Sequence, residues 1–576
     1  MTDDAATDQG KPGDALRDAR RSLRGLVAPV LMFSMVVNLL MLTGPIFMLQ
    51  LYERVIASRS EETLVVLLAL VAFLYVIMAI LDQARARIAA RAGGRVQALL
   101  ERRVFDAALR QPSRLRREPP WRDLDAIRRF TATPGFPCLL DAPWTPLLLG
   151  AIFLFHPLLG AFAVGAALLL ALATIIGQAR CAPDMDAALA QARSADRLGN
   201  EAAAHAEDLG ALGMRGAITT RWLAVRDPML RHEVATAERN AATFATSRTL
   251  RLFLQSAILA VGAWLVLRQS LSPGAMIAAS ILMGRALAPI DTAILQWGMF
   301  RRARAGWGRL ARTLEAAPPE AARTALAAPS GTLDARELTV IPPNARRPTL
   351  RMVSLHLEPG TAMGVIGGTG AGKTTLARAL TGAWPLAGGS VRLDGAERTQ
   401  YGADGFCGQI GYLPQAHTLF TGTVAENIAR MRPERDDAAV MRAAMRAGAH
   451  DMILQLPDGY DTQLDMRAPT LSGGQLQRIA LARALFGDPP VLVLDDPSAM
   501  QDGDGCAALN AALRAHKAGG GCALVLSHRP AAIAECEYLL LLENGVRKNH
   551  GPRERVLRDL GHGPAEAPAA GIGSAS

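Results

Sequence analysis

Long apolar runs before about residue 300 constrain the fold of this chain more than any other feature of its sequence. The first two, Leu26–Leu51 and Thr63–Leu81, are each long enough to cross about 30 Å of hydrocarbon as an α-helix. A second and a third pair follow, each joined by a short turn. The sequence therefore predicts an all-α membrane domain of six helices in three hairpins. The later spans are Pro146–Pro157 with a lead-in from Leu139, Leu158–Ile176, Leu252–Leu267 and Pro273–Trp297.

Arginines supply much of the net charge of +10, and they crowd beside the apolar runs. They precede the first span, at 17–24, and follow the second, at 85–103, whereas the turns within the pairs carry few charges. Under the positive-inside rule, this distribution predicts a multi-pass membrane protein with both termini in the cytoplasm. No basic stripe with interleaved aromatic residues is present, which argues against a nucleic-acid partner.

Two long charged segments, 83–138 and 179–246, separate the pairs of spans. They are rich in Ala, Arg and Leu, and unstructured loops of this length are uncommon, so we expect them to extend the membrane helices. Ordinary cytoplasmic loops are the alternative. Within the last apolar run, Arg285 and Asp291 lie where a charge is costly and usually faces a bundle interior or a cavity. A buried ion pair and a role in a pore would both account for them.

A chain of 576 residues suits two or more domains. Residues 1–24 form a polar N-terminal segment, and 25–313 hold the membrane helices. An Ala/Pro-rich linker, 314–330, precedes short β-like runs, glycine turns and helices over 331–562, which predict an α/β domain. The Ala/Gly-rich tail 563–576 is predicted to be disordered.

The α/β segment contains a glycine loop that is typical of phosphate binding. The apolar strand Ala362–Ile366 leads into this loop and then into a helix, so backbone N–H groups can meet phosphate oxygens. Lys373 would place its charge at the β- and γ-phosphates, and the hydroxyl of Thr374 can bind Mg²⁺. ATP is the predicted ligand. The residues predicted to hold it are Gly367, Gly368, Thr369, Gly370, Ala371, Gly372, Lys373, Thr374 and Thr375.

A second apolar strand, from Val491, ends in the carboxylate of Asp495. Strands of this kind deliver Asp to the metal ion beside the phosphates, so Asp495 is a predicted Mg²⁺ ligand. Between this strand and the glycine loop lies the sequence Leu471-Ser472-Gly473-Gly474-Gln475. A serine and two glycines at the start of a helix offer a further surface for an anion.

With LSGGQ ahead of the metal-binding strand, the chain resembles the ATP-binding-cassette family. The resemblance implies that Leu471–Gln475 faces the γ-phosphate held by the other subunit of a dimer. It also implies that Gln415 touches Mg²⁺ and the membrane domain, and that His528, in VLSHRP, is the switch histidine of catalysis. The implied architecture is the type I ABC exporter fold. In that fold a six-helix membrane domain precedes an α/β P-loop nucleotide-binding domain, and the dimer forms through both.

Four further stretches narrow the resemblance to one branch of this family. They are PIFMLQLYERVIASRSEETL (45–64), DLDAIRRFTATPGFPCLLDAPWTPLLLGAIFLFHPLLG (123–160), ASILMGRALAPID (279–291) and TLFTGTVAENIAR (418–430). They resemble type I secretion permease/ATPases, in the branch that exports repeats-in-toxin proteases and related proteins. This implies ATP-driven export of unfolded protein across a bacterial inner membrane, with a periplasmic adaptor and an outer-membrane channel as partners. A lipid or drug flippase of the same fold and a nucleotide-gated regulatory subunit are the alternatives.

Asp496 departs from the family, which usually has Glu here to polarise the attacking water. A carboxylate shorter by one methylene is withdrawn by roughly 1 Å, and such a misplacement can cost about 100-fold in rate. The next loop, Ala499–Asp502, also departs from the family, and 332–349 offers no aromatic side chain to stack on adenine. Asp496 and His528 are still the predicted catalytic residues. We prefer a homodimer with slow but sufficient hydrolysis over a heterodimer to which this chain contributes one weak site.

Overall fold

The computed structural model describes residues 14–111, 119–317, 326–343, 345–465, 471–498 and 503–560. The chain divides into two compact units, Met1–Pro319 and Glu320–Ser576. The first 13 residues of the predicted N-terminal segment and the predicted disordered tail 563–576 lie outside the described residues.

The first unit is helical throughout its described part. Its helices are α1 (Asp14–Leu40), α2 (Thr43–Gln50), α3 (Ile56–Ser58), α4 (Glu61–Leu109), α5 (Trp121–Thr131), α6 (Gly135–Asp141), α7 (Thr145–Phe153), α8 (Pro157–Ala204), α9 (Ala206–Ala211), α10 (Arg215–Leu267) and α11 (Pro273–Ala316). A π-helical turn, Leu51–Val55, connects α2 to α3, and a 3₁₀ turn, Ala142–Trp144, connects α6 to α7.

Six stretches of the described residues are helical, long and apolar enough to cross a membrane, which confirms the predicted number of spans. They are Val27–Ser58, Glu61–Leu109, Gly135–Phe153, Pro157–Ala204, Arg215–Leu267 and Pro273–Ala316. In the most apolar part of α4 no residue is buried. Side chains there, such as Val66 and Phe73, are 68% and 61% exposed. Apolar surface of this extent fits contact with lipid.

Helices α4, α8 and α10 continue well beyond the membrane, as predicted for the charged segments, so the alternative of ordinary loops is wrong. They have 49, 48 and 53 residues, which is roughly 70–80 Å of helix and more than twice the thickness of the hydrocarbon. The segment 83–138 is not one continuous extension, however. α4 ends at Leu109, and α5 begins at Trp121, directly after Pro119 and Pro120.

The first and third spans differ from their predicted form as single helices. The first span, Val27–Ser58, is interrupted at Met41 and Leu42, between α1 and α2. Pro45 explains the interruption, since it lacks an N–H and its ring clashes with the carbonyl four residues earlier. The third span is divided into α6, a 3₁₀ turn and α7, with prolines at the second positions of the turn and of α7.

The last helix also extends past its predicted end. α11 continues to Ala316, three residues into the range predicted as a linker. Leu314 explains this extension, because it is buried in an apolar cluster with side chains of α4 and α5. Most of the remaining linker, 318–325, lies outside the described residues.

Charged side chains inside the membrane unit form ion pairs between helices. Asp291 on α11 lies 2.8 Å from the guanidinium of Arg251 on α10. Arg85 on α4 contacts Asp141 on α6 at 2.6 Å. For Asp291 the structure therefore shows the ion pair, one of the two possibilities that the sequence left open. The guanidinium of Arg285 instead donates to the hydroxyl of Tyr75, at 3.5 Å.

The second unit mixes strands and helices. They are β1 (Leu333–Val340), β2 (Leu350–Leu357), β3 (Ala362–Ile366), α12 (Lys373–Leu380), β4 (Gly388–Leu393), β5 (Ala396–Glu397), α13 (Arg398–Tyr401), α14 (Ala403–Gly408), β6 (Ile410–Leu413), β7 (Gly422–Thr423), α15 (Val424–Ile428), α16 (Asp437–Arg446), α17 (His450–Leu454), β8 (Gln463–Leu464), α18 (Gly473–Leu485), β9 (Val491–Asp495), α19 (Gly503–Ala518), β10 (Cys522–Leu526), β11 (Tyr538–Glu543), β12 (Val546–Pro552) and α20 (Arg553–Asp559).

A six-stranded sheet, in the order β12-β11-β3-β10-β9-β6, forms the centre of this unit. Its strands are parallel except β12. A four-stranded antiparallel sheet, β2-β1-β4-β5, lies on one face and helices lie on the other. Both faces of β9 are therefore buried: Val491 and Val493 face the second sheet, while Leu492 and Leu494 face the helices. This is why the strand is an unbroken apolar run.

Candidate functional site

The glycine loop connects the carboxyl end of β3 to α12, and its geometry requires glycine. Gly372 has φ 105° and caps α12, and a Cβ there would lie 2.8 Å from a methyl carbon of Leu350. A Cβ at Gly367 would lie 2.3 Å from the carbonyl oxygen of Leu542. The ammonium of Lys373 folds over the loop and donates to the carbonyls of Gly367 and Gly368, at 2.6 and 3.1 Å. Gly368, Thr369 and Gly370 form the exposed tip, whereas Ala371 and Thr375 are buried.

The structure brings the three predicted Mg²⁺ ligands together. The hydroxyl of Thr374 lies 3.3 Å from Oε1 of Gln415 and 3.3 Å from Oδ1 of Asp495. Thr374 and Gln415 follow β3 and β6, and Asp495 is the last residue of β9. The carboxyl ends of parallel strands meet at one edge of a sheet, where ligands bind.

The carboxylate of Asp495 fits a metal ion. Its Oδ2 is buried and accepts no hydrogen bond from the described residues. Burial raises the pKa of this carboxyl above its usual value, the hydrogen bond from Thr374 opposes that shift, and the neighbouring charge of Asp496 adds to it. A divalent cation at Oδ2 would satisfy the unpaired oxygen and favour the charged form. The residues present therefore fit Mg²⁺.

The two predicted catalytic residues lie beside each other at the same edge. Asp496 has φ 52°, which is uncommon for a residue other than glycine, and its N–H donates to the carbonyl of Leu526 at 2.8 Å. Its Oδ1 lies 3.7 Å from Nδ1 of His528, whose side chain is largely exposed. The divergent loop Ala499–Asp502 lies outside the described residues.

The segment Leu471–Gln475 forms the start of α18. The hydroxyl of Ser472 accepts from the N–H of Gln475 at 3.3 Å, and Oε1 of Gln475 accepts from the N–H of Ser472 at 2.9 Å. This capping box fixes the helix start, while Gly473 and Gly474 occupy its first two positions. Within the described residues, no hydrogen bond or ion pair joins this segment to the glycine loop, so the chain does not bring these two predicted phosphate sites into contact.

When the chain is compared with known proteins, each of its two units matches a different family model. The sequence model of the ABC transporter transmembrane region matches residues 27–118, and that of the ABC transporter ATPase matches 350–499. A type I secretion system ATP-binding protein of Rhizobium meliloti, PrsD, is 38% identical over 96% of this chain and 95% of its own. The chain belongs to the ABC transporter family.

Two further comparisons support this assignment. The cyclolysin secretion/processing ATP-binding protein CyaB of Bordetella pertussis is 27% identical to this ABC transporter, over 93% of this chain and 76% of its own. The solved structure of a bacterial Atm1-family ABC exporter with ATP bound has a TM-score of 0.79 at 20% identity, over 94% of this chain and 96% of that one. The transporter therefore has the ABC exporter fold and is an integral membrane protein with an ATPase domain.

Three residues of this ABC transporter that the sequence analysis missed hold the loop around Asp496. The hydroxyl of Ser527 donates to Oδ1 of Asp496 at 3.3 Å. The amide of Gln477 donates to the carbonyl of Pro497, and the guanidinium of Arg529 donates to the carbonyl of Ser498 at 2.6 Å. Ser527 and Arg529 flank His528 in the sequence, and this proximity is the signal that could have identified them. Gln477 lies two residues after Gln475 and is fully buried, which its sequence position does not reveal.

Proposed function

We propose that this ABC transporter is the permease/ATPase subunit of a type I secretion system and exports unfolded protein across the bacterial inner membrane. The observation that carries this proposal is the relative named for type I secretion, which matches nearly the whole of both chains rather than the ATPase domain alone. The four stretches that resemble that branch lie in both units, which supports the same conclusion.

The proposed roles at the ATP site follow from its geometry. Residues Gly367–Thr375 would surround the phosphates with backbone N–H groups, and Lys373 would exchange its two carbonyl partners for phosphate oxygens. Thr374, Gln415 and Asp495 would hold Mg²⁺. When bound, Mg²⁺ neutralises the charge that develops on the phosphates during transfer.

Asp496 is proposed as the group that polarises the attacking water. Its carboxylate is fixed by the hydroxyl of Ser527 and lies next to His528, so a proton from the water could be accepted within this cluster. The exposed His528 would contact the γ-phosphate. Leu471–Gln475 would contact the γ-phosphate held by a second subunit, because within one chain this segment does not contact the glycine loop. The working unit is therefore proposed to be a dimer, with a homodimer preferred.

The proposed setting is a bacterial inner membrane with both termini in the cytoplasm. A periplasmic adaptor and an outer-membrane channel would complete the export path, and no nucleic acid would take part. A slow half of a heterodimer, a lipid or drug exporter and a regulatory subunit are the alternative functions.

Deleting the chain in its own bacterium tests the proposal. We expect at least one protein to disappear from the medium while the lipids of both membranes are unchanged. The unmodified chain should restore secretion, whereas Lys373→Ala should not, because the β- and γ-phosphates lose their counterion. Lys548→Ala is the matched control, since Lys548 is exposed on β12. An unchanged set of secreted proteins, in a strain that lacks any paralogue, would contradict protein export.

A further inference from the structure

Arg285 places a positive charge near the middle of Pro273–Trp297, the apolar part of α11 that is predicted to span the membrane. It is the thirteenth residue of α11, counted from Pro273, and so lies about 18 Å along the helix, roughly half the thickness of the hydrocarbon region. A charge at this depth costs free energy, and such residues face a bundle interior or a water-filled path and mark the route of a substrate or ion.

Within the part of the chain that the structure describes, several other charged side chains of the helical unit form ion pairs, whereas Arg285 does not. Arg85 lies 2.8 Å from Asp82 and 2.6 Å from Asp141, and Asp291 lies 2.8 Å from Arg251. Among the described residues, no ion pair includes Arg285; its side-chain partner is the hydroxyl of Tyr75, at 3.5 Å. A neutral hydroxyl does not balance the charge, which leaves the guanidinium able to bind an anion.

Three helices meet at this guanidinium. Tyr75 lies on α4, and Gly44 is the second residue of α2, just after the interruption of the first span. A Cβ built at Gly44 would lie 2.9 Å from the hydroxyl of Tyr75 and 3.6 Å from Nη2 of Arg285. Arg285 as a residue is partly exposed. Because the tyrosine oxygen accepts from Arg285, its own proton is available to donate, and two donors lie side by side.

We propose that Arg285 and Tyr75 bind carboxylates of the translocated polypeptide as it crosses the membrane. The proposal rests on export of unfolded protein as the function and adds a preference for acidic segments. Guanidinium and carboxylate match in charge and geometry, and their hydrogen bonds are strong where water is scarce. A basic segment is repelled at this point, and a neutral one leaves the cation uncompensated.

Peptide binding to the full-length protein in phosphatidylcholine nanodiscs tests this proposal. Two fluorescent unstructured peptides are compared by anisotropy, identical except that every Asp and Glu of one is Asn or Gln in the other. We expect the unmodified chain to bind the acidic peptide about tenfold more tightly. Arg285→Gln should remove this preference, and Arg285→Lys should retain most of it. Arg268→Gln is the control and should retain it fully, because Arg268 lies at the α10–α11 turn, over the ring of Trp264.

The remaining outcomes overturn the proposal in distinguishable ways. Equal binding of both peptides to the unmodified chain, or a preference that survives Arg285→Gln, contradicts the role of Arg285 and leaves protein export in place. If neither peptide binds, both the role of Arg285 and the proposed export of protein are contradicted. Dissociation of the dimer by Arg285→Gln, measured by mass photometry, would assign the guanidinium to a contact between subunits. If the preference for the acidic peptide is lost when phosphatidylglycerol is added, the guanidinium of Arg285 would be assigned to binding a lipid phosphate.

Discussion

Asp496 combines an uncommon backbone conformation with a carboxylate held on two sides. Its φ of 52° is in the left-handed region, and its N–H is bonded to the neighbouring strand β10. Ser527 and His528, which follow that strand, contact the same carboxylate oxygen. The short side chain is thus positioned rigidly, and its reach toward an attacking water is set by its length alone.

Asp496→Glu should therefore raise the ATPase rate of the purified chain. If the chain works as a homodimer and reach is the main limit, the increase should be up to about 100-fold. If the chain is half of a heterodimer, a co-encoded partner with Glu at this position dominates turnover, and the substitution changes the total little. Asp496→Asn is the matched control and should lower the rate. Robust hydrolysis by the unmodified chain alone, unimproved by Glu, would show that Asp496 is no handicap.

His528→Ala should reduce turnover and leave ATP affinity nearly unchanged. The side chain contacts Asp496 and is 60% exposed, so it can reach a bound γ-phosphate while contributing little to the loop that holds the nucleotide. ATP affinity and the ATPase rate are measured on the same preparation, with His356→Ala, an exposed histidine of β2, as the control. Parallel loss of binding and turnover would instead indicate a defect in folding.

At the scale of elements, polar side chains join neighbouring membrane helices at particular positions along their length. Ser247 and Arg251 lie one turn apart on α10 and both contact Asp291 on α11, at 3.5 and 2.8 Å. The side chains of Arg251 and Asp291 are 20% and 15% exposed, so each charge depends on the other for compensation. We infer that this pair fixes the register of α10 against α11.

Asp291→Asn should lower the stability of the helical unit. It leaves the guanidinium of Arg251 partly buried without a counterion. Because the pair is not fully desolvated, we expect the free energy of unfolding to fall by about 2 kcal/mol. The double variant Arg251→Met with Asp291→Leu removes both charges and should recover most of the loss. The midpoint of thermal unfolding in detergent is the measurement. Equal stability of the unmodified chain and Asp291→Asn would contradict a structural role for the pair.

The sequence predicted features that depend on local pattern, and it missed those that depend on tertiary contact. The number of spans follows from the length of the apolar runs. The meeting of Thr374, Gln415 and Asp495 follows from parallel strands ending at one edge. Hydropathy did not reveal the interruption at Met41 and Leu42, because these residues are themselves apolar. Arg251 lies 40 positions from Asp291, so no spacing rule could pair them.

At the scale of the whole molecule, one chain combines a unit of membrane-spanning helices with a unit built on a parallel sheet. Its first unit exposes apolar side chains along the spans, as a membrane protein must, and extends its helices far beyond the hydrocarbon. Its second unit has a buried parallel sheet, and the proposed nucleotide site lies along one edge of that sheet. We propose that ATP hydrolysis at this edge drives an unfolded polypeptide through the helical unit.

Translocation into sealed proteoliposomes tests that claim most directly. The purified chain is reconstituted with its ATPase domain outside, and a labelled, unfolded, acidic polypeptide is added with MgATP. The account predicts that polypeptide becomes protected from external protease only when ATP is hydrolysed, and that Lys373→Ala gives no protection. Steady ATP hydrolysis without protected polypeptide, accompanied by ATP-dependent movement of a fluorescent lipid between leaflets, would contradict the account.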